Sequence, residues 1–138
     1  MWSRQSKDLG ETHLAMVALL RQATRPLTAY ELLATLQADR PRIAPPTIYR
    51  ALKRLIALGF VHRIESMNAY TACRSDGHSA TAVFTICDNC GAVGEHVDER
   101  VVERLRRLGA ATGFTAERPV IELHGTCGGC RDSERLPA

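Results

Sequence analysis

The chain has 138 residues, of which 45% are hydrophobic, 24% charged and 5% aromatic, and its formal net charge is +3. This composition is typical of a folded globular protein with one core or two small ones. The longest apolar run, Leu14 to Leu20, is far shorter than the roughly 20 residues that cross a bilayer. Acidic residues precede it and Arg21 follows it, so we expect a cytoplasmic protein without signal peptide or membrane segment.

Charge is unevenly distributed along the chain. Residues 1–72 contain ten Lys and Arg against five Asp and Glu, whereas residues 73–138 contain eight against ten. The first part is therefore the one expected to meet a polyanion such as DNA. All five cysteines lie in the second part. An odd number of cysteines without a secretion signal favours metal or redox chemistry over a disulfide framework.

The first part begins with two predicted helices. Apolar residues recur with helical spacing over residues 16–23, and Pro26 ends this first helix. Thr28 and Glu31 have the T-x-x-E spacing of a capping box. They predict a second helix that ends before Pro41.

A third helix is predicted between Pro45 and Gly59, because Pro suits the first helical turn and Gly the position after the last. Its apolar face is formed by Ile48, Ala51, Leu52 and Leu55. Its opposite face, which we expect to contact DNA, carries Thr47, Tyr49, Arg50, Lys53 and Arg54.

A β-hairpin is predicted after the third helix. Residues 61–65 alternate in polarity, residues 66–68 favour a turn, and residues 69–73 form the returning strand. Three helices and a hairpin predict a winged helix-turn-helix domain over residues 1–72, whose third helix enters the major groove of double-stranded DNA. A small helical packing domain with a solvated basic face is the alternative, and the charge asymmetry favours DNA binding.

Two C-x-x-C pairs mark the second part. They are Cys87 with Cys90 and Cys127 with Cys130. Four thiolates complete a closed tetrahedral zinc site that has no open position for catalysis. We therefore expect one structural Zn²⁺ that joins the two ends of this lobe. A thioredoxin-like pair and two local disulfides are the alternatives.

The segments around these pairs predict a small α+β unit. We expect a strand over residues 80–86, a helix over residues 99–112 and a strand over residues 120–124. Edge strands that pair across a two-fold axis would extend both sheets, so residues 80–138 are interpreted as a dimerisation domain and residues 73–79 as a hinge. The predicted fold class is α+β, with an N-terminal winged helix-turn-helix domain and a small C-terminal α/β dimerisation domain.

Four further side chains could bind a second metal ion. His62 lies in the hairpin, Cys73 ends it, His78 follows in a short loop and Glu95 stands beyond the first C-x-x-C pair. Singly, each has an ordinary explanation as a solvent-facing side chain or, for Cys73, a small buried one. Together, two imidazoles, a thiolate and a carboxylate suit tetrahedral Zn²⁺ at the junction of the two domains.

At this point the chain resembles the ferric-uptake-regulator superfamily of metal-responsive repressors, most closely its zinc-uptake-regulator branch. The resemblance extends from about residue 10 to Cys130. It rests on LTAYEL at 27–32, APPTIYRAL at 44–52, GFVHRIES at 59–66, CDNCGAV at 87–93 and HGTC at 124–127.

This resemblance implies a homodimer that binds a DNA operator when loaded with zinc and represses zinc-uptake genes. It implies that the four-cysteine site is structural and that His62, Cys73, His78 and Glu95 form the sensory site, which makes two Zn²⁺ per chain. It also points to Tyr30 and Arg50 as DNA contacts. We expect sensory zinc to hold the two lobes in the arrangement that fits DNA, with no membrane or small-molecule substrate as a partner.

The chain departs from the iron-sensing branch upstream of the first C-x-x-C pair. A His-rich run stands there in that branch, whereas residues 81–84 of this chain supply no ligand, so a further metal site is expected to be absent. His13, His96 and His124 are expected not to bind metal. His96 is the first replacement should one of the four sensory ligands be wrong.

Two other classes of function are less consistent with the sequence than repression is. A zinc deaminase requires an open metal position and a P-C-x-x-C segment, and Pro precedes neither pair. We therefore do not expect an enzyme. A regulator that senses thiol oxidation, peroxide or another metal on the same scaffold is the closer alternative, because Cys73 lies outside the four-cysteine site.

Overall fold

A computed structural model of the chain describes residues 9–74 and 81–135, and side chains as far as residue 133. The chain divides into two compact units, Met1–Ser79 and Ala80–Ala138. Helices with a hairpin form the first unit and a three-stranded sheet with helices forms the second. The predicted α+β class is confirmed. The predicted hinge over residues 73–79 stays a prediction.

The first unit contains the helices α1 (Glu11–Gln22), α2 (Ala29–Gln37) and α3 (Pro45–Ala57). Each helix directs apolar side chains of helical spacing into one shared core. The largest of these side chains, none more than 2% exposed, are Met16, Val17, Leu20, Leu32, Ile48, Leu52 and Leu55. Because full burial stabilises such a side chain by about 1.5–3 kcal/mol, this core holds the three helices together.

A hairpin of β1 (Val61–Ile64) and β2 (Ala69–Ala72) completes the first unit. The two strands are antiparallel, and the turn between them ends at Asn68, which adopts a left-handed backbone with φ 47°. The side-chain oxygen of Asn68 accepts a hydrogen bond of 2.8 Å from Arg63. Leu27, just before α2, exchanges two backbone hydrogen bonds with Tyr70, which ties the hairpin to the helices.

The second unit is built on a sheet with the order β4-β3-β5. Its elements are β3 (Val83–Cys87), β4 (Val93–His96), α4 (Glu99–Ala110), β5 (Ile121–Gly125) and α5 (Gly128–Arg135). The central strand β3 is antiparallel to β4 and parallel to β5. Asp98 caps α4, because its carboxylate accepts hydrogen bonds from the backbone N–H groups of Arg100 and Val101.

The predicted elements of the second unit differ from the observed ones in their ends and number. The first strand begins at Val83, the helix ends at Ala110, and the last strand covers Ile121–Gly125. The structure adds β4 and α5, which were not predicted. Among residues 9–74 and 81–135, no helix has the length and apolar character needed to cross a bilayer.

The predicted capping box is present at the start of α2. The backbone N–H of Glu31 donates to Thr28 Oγ1 at 3.1 Å, and the backbone N–H of Thr28 donates to the Glu31 carboxylate at 3.2 Å. The Arg25 guanidinium also donates to this carboxylate. The hydrogen bond from Arg25, followed by that from the Thr28 backbone, lowers the pKa of Glu31 to about 2.

We expect Thr28→Ala to lower the free energy of unfolding, measured in urea, by about 0.5–2 kcal/mol, the usual range for loss of an N-cap side chain.

The carboxylate of Glu31 should make stability depend on pH. The folded chain holds the pKa of Glu31 at about 2, below the ordinary 4.5. The stabilisation by the Glu31 carboxylate is therefore present above pH 4.5 and is lost as the pH falls towards 2. Glu31→Gln should remove this part of the acid dependence in urea unfolding. Glu103→Gln, in the exposed pair with Arg107, is the control, and an acid profile of Glu31→Gln that matches the parent would contradict the prediction.

Candidate metal centre and nucleic-acid interface

Both C-x-x-C pairs lie at the same edge of the sheet. Cys87 is the last residue of β3, and Cys127 follows the end of β5 by two residues. The strands are parallel, with Cys87 opposite Gly125, so the two segments of the chain leave the sheet side by side. The backbone N–H of Asp88 donates to the carbonyl of Gly125 at 2.8 Å and extends the pairing past the strand ends.

The four sulfur atoms of these pairs lie within 4.8 Å of one another. Cys87 Sγ is 3.8 Å from Cys130 Sγ, and Cys90 Sγ is 3.7 Å from Cys127 Sγ. Zinc–sulfur bonds of about 2.3 Å in a tetrahedron place sulfurs about 3.8 Å apart, whereas a disulfide requires about 2.05 Å. The arrangement fits one zinc ion with four thiolates, and all four cysteines are free thiols.

The ionisation of the four thiols is uneven. Hydrogen bonds from the backbone N–H groups of Cys127 and Cys90 lower the pKa of Cys87 to about 6. The Asn89 side chain lowers the pKa of Cys130, but the neighbouring sulfur atoms and burial outweigh this effect and raise it to about 12. One thiolate forms readily while another resists ionising, because negative charges crowd in one place. A divalent cation removes this repulsion, so the donor set fits Zn²⁺.

His124 lies beside the four-cysteine cluster. Its Nδ1 atom is 3.4 Å from Asp88 Oδ1 and its Nε2 atom is 3.2 Å from Glu122 Oε2. The ring therefore joins the first C-x-x-C turn to β5. Both ring nitrogens face carboxylates, which agrees with the expectation that His124 is not a metal ligand, although that expectation stays a prediction.

The second predicted metal site draws on residues from both units. In the first unit His62 lies on β1 opposite Thr71, and Cys73 directly follows β2. A ring nitrogen of His62 and Cys73 Sγ lie within 4.8 Å of each other. In the second unit Glu95 lies on β4. His78 lies outside the described residues, so the four-residue site stays a prediction.

The predicted DNA-contacting side chains lie on the solvent face of the helical unit. On α3, Tyr49 is 58% exposed, and Tyr30 on α2 is 79% exposed. The remaining members of the predicted α3 face are also exposed; they are Thr47, Arg50, Lys53 and Arg54. The Arg50 Nε–H donates to the Pro46 carbonyl at 3.3 Å, which holds the guanidinium along the helix. The basic face and the buried face of α3 are therefore separate.

Comparison with known proteins gives concordant matches. The family model described as the ferric uptake regulator family matches residues 9–124. The zinc uptake regulation protein of Escherichia coli (strain K12) is 40% identical over 133 residues, which cover 96% of this chain and 78% of that protein.

Two solved structures are similar along most of the chain. A zinc uptake regulator complexed with zinc and DNA has a TM-score of 0.86 and 39% identity, over 93% of this chain and 86% of that one. The crystal structure of holo XcZur has a TM-score of 0.83 and 38% identity, over 90% of this chain and 86% of that one. Together with the match over residues 9–124, these similarities show that the chain belongs to the ferric uptake regulator family.

Proposed function

We propose that this chain is a zinc-responsive repressor of zinc-uptake genes, which binds its DNA operator as a zinc-loaded homodimer. The observation that carries the proposal is the tetrahedral spacing of four cysteine sulfurs in a chain 40% identical to a zinc uptake regulation protein. The similar regulator solved with zinc and DNA supports both ligands. Four thiolates leave zinc no open coordination position, so the proposed function includes no catalytic step.

Two zinc ions per chain are proposed, with different roles. Cys87, Cys90, Cys127 and Cys130 would hold the structural ion. His62, Cys73, His78 and Glu95 would hold the regulatory ion. Support for the second set comes from its donor chemistry, which suits tetrahedral zinc, and from the proximity of the His62 ring to the Cys73 thiol in the first unit.

The proposed homodimer is supported by exposed apolar side chains on the second unit. Leu105 and Leu108 on α4 are 41% and 57% exposed, and Leu123 on β5 is 58% exposed. In addition, β5 lies at the edge of the sheet formed by the described strands. Exposed apolar side chains on a helix and an open strand edge are both features that a second copy would cover.

Regulation is proposed to act through the ligands of the second ion, which belong to both units. In the zinc-bound state these ligands would restrict the two units to the arrangement in which paired α3 helices fit successive major grooves. Zinc and operator then strengthen each other's binding, with a coupling of about 1–3 kcal/mol in typical allosteric proteins.

Operator binding titrated against buffered free Zn²⁺, Fe²⁺ and Mn²⁺ tests the proposed function. Operator binding that does not depend on any of the three metals, or that is lost with peroxide while zinc stays abundant, would contradict the proposed function.

Cys127→Ser removes one of the four proposed structural ligands. We expect the variant to lose one zinc per chain and several kcal/mol of stability, and the dimer to dissociate, since the metal supports the small core of this unit. Zinc content by mass spectrometry and mass by light scattering measure both effects. Ser133→Ala, outside the cluster, is the control. A stable dimer of Cys127→Ser with one zinc fewer would show that dimerisation does not depend on this zinc ion and would contradict the prediction.

Arg50 and Lys53 lie on the same face of α3 but are expected to differ in what they recognise. Arg50→Ala should cost about 1–3 kcal/mol of operator binding and relax preference at one base per half-site, as for an arginine with two hydrogen bonds to guanine. Lys53→Ala should weaken all sequences alike and reduce the salt dependence, as for a phosphate contact. Binding to a panel of mutated operators at several salt concentrations distinguishes them, and identical behaviour would show that Arg50 does not read bases.

Cys73→Ser tests the regulatory site, because serine removes its soft sulfur ligand. The variant should fold, dimerise and retain one zinc per chain, yet fail to bind operator at zinc levels that saturate the parent. His62→Ala should behave alike, and the double variant should be little worse than either, since members of one site are not additive. His96→Ala tests the alternative ligand and should keep the parental zinc midpoint, whereas a loss of zinc affinity would place His96 in the site instead of one of the four. A parental midpoint in both Cys73→Ser and His62→Ala would refute the site.

A further inference from the structure

A cavity of about 630 Å³ lies between the N-terminal turn of α1 and the basic face of α3. Its α3 side is formed in part by Thr47, Arg50 and Arg54, and its α1 side includes His13. None of the metal ligands named above borders it. The sequence assigned no role to His13, because only the packing of α1 against α3 brings this residue to the arginines.

The His13 side chain has an unmade hydrogen bond in the free protein. Its Nδ1 atom is buried and has no hydrogen-bond partner among the described residues. Burial, followed by the positive charge of Arg54, lowers the pKa of His13 below its ordinary value of 6.5. The free protein therefore holds a neutral imidazole in a site where an anion would favour the charged form.

The charged groups around the cavity are mostly positive. Arg50 and Arg54 contribute from α3, and Glu11 is an opposing carboxylate on α1. The Glu11 side chain is 93% exposed and faces Arg40 at 3.8 Å, so solvent and Arg40 reduce its effect. Arg40 also donates to Thr12 Oγ1 at 3.3 Å. The α1 N-terminus adds backbone N–H groups without a side-chain cap at Gly10.

We propose that this cavity binds a phosphate group of the DNA backbone, held by His13 and Arg54, and that His13 takes up a proton when DNA binds. The proposal rests on the proposed DNA-binding function and extends it to a residue outside the predicted DNA face. The His13 ring and Arg54 both line the cavity, so a phosphate oxygen bound there would accept from the charged imidazole, and its negative charge opposes the repulsion by Arg54. DNA is the source favoured over free phosphate, because the cavity is continuous with Thr47 and Arg50 of the proposed recognition helix.

The sign of the pH dependence follows from these charges. In the free protein the lowered pKa of His13 keeps the ring neutral near pH 7. A bound phosphate would raise this pKa. Affinity for DNA should therefore increase as the pH falls through the pKa of the complex, and level off below that of the free protein. One proton gives at most about tenfold per pH unit, and a pKa raised by one unit gives about tenfold in total.

The test uses the zinc-loaded, full-length chain and a DNA duplex selected with it in vitro. Affinity is measured between pH 5.5 and 8 at fixed salt and fixed free zinc for the parent, His13→Gln, Arg54→Ala and Lys53→Ala. Zinc binding also depends on pH, but it affects all four proteins alike. We expect His13→Gln and Arg54→Ala to reduce the pH slope, the second because Arg54 no longer lowers the pKa of free His13. Lys53→Ala, which changes the same charge outside the cavity, should keep the parental slope.

Nitrogen-detected titration of the His13 ring, with duplex and separately with inorganic phosphate, completes the experiment. A pKa raised by duplex supports the proposal. Equal pH slopes for the parent and His13→Gln, or a His13 pKa that duplex leaves unchanged, overturn it. A shift with inorganic phosphate alone overturns the assignment to DNA. Failure of the proposed function is distinct, because the parent would then show no zinc-dependent binding to any duplex.

Discussion

Crowding of four cysteine sulfurs within 4.8 Å is the constraint on which the second unit depends. The thiol of Cys130 resists ionisation beside its neighbours, so four thiolates require a divalent cation. The apolar core of this unit is small: its buried residues among those described are Ala82, Val83, Phe84, Ile86, Cys87 and Val102. All of them except Val102 belong to β3 or, for Ala82, directly precede it. A sheet with so little on its faces depends on metal ligation and on the cover that a second copy would provide.

The first unit is stabilised in a different way. Its core draws on all three helices and on the hairpin, and no cysteine of the four-cysteine cluster belongs to it. The basic face of α3 is thus formed by packing that does not need metal. The proposed regulation therefore has a physical basis in which a preformed DNA-binding unit changes its freedom of arrangement rather than its fold.

Local signals predicted the parts of the fold that local chemistry determines. The capping box at Thr28 and Glu31, the prolines at the start of α3 and the C-x-x-C spacing each act over a few residues. The strand β4 was missed because Val93–His96 includes a glycine and two charged or polar residues rather than an apolar alternation. Helix α5 was missed because it starts with two glycines inside the second C-x-x-C pair. Its position is set by Cys127 and Cys130, which have to converge on the first pair.

Helix α3 shows where periodicity stops being informative. Its heptad-like pattern distinguishes a buried face from a basic one, and the structure confirms both. The part of the basic face that lies nearest α1 includes Arg54, which lines one cavity with His13. The two residues are far apart in sequence and neither has unusual neighbours along the chain, so their proximity follows from the crossing of the two helices. Arg54 then acts in two directions: it lowers the pKa of the imidazole in the free protein and would attract the same anion that restores its charge. In the proposed site, proton uptake and phosphate binding are therefore linked by one arginine, through a proximity that exists only in the folded unit.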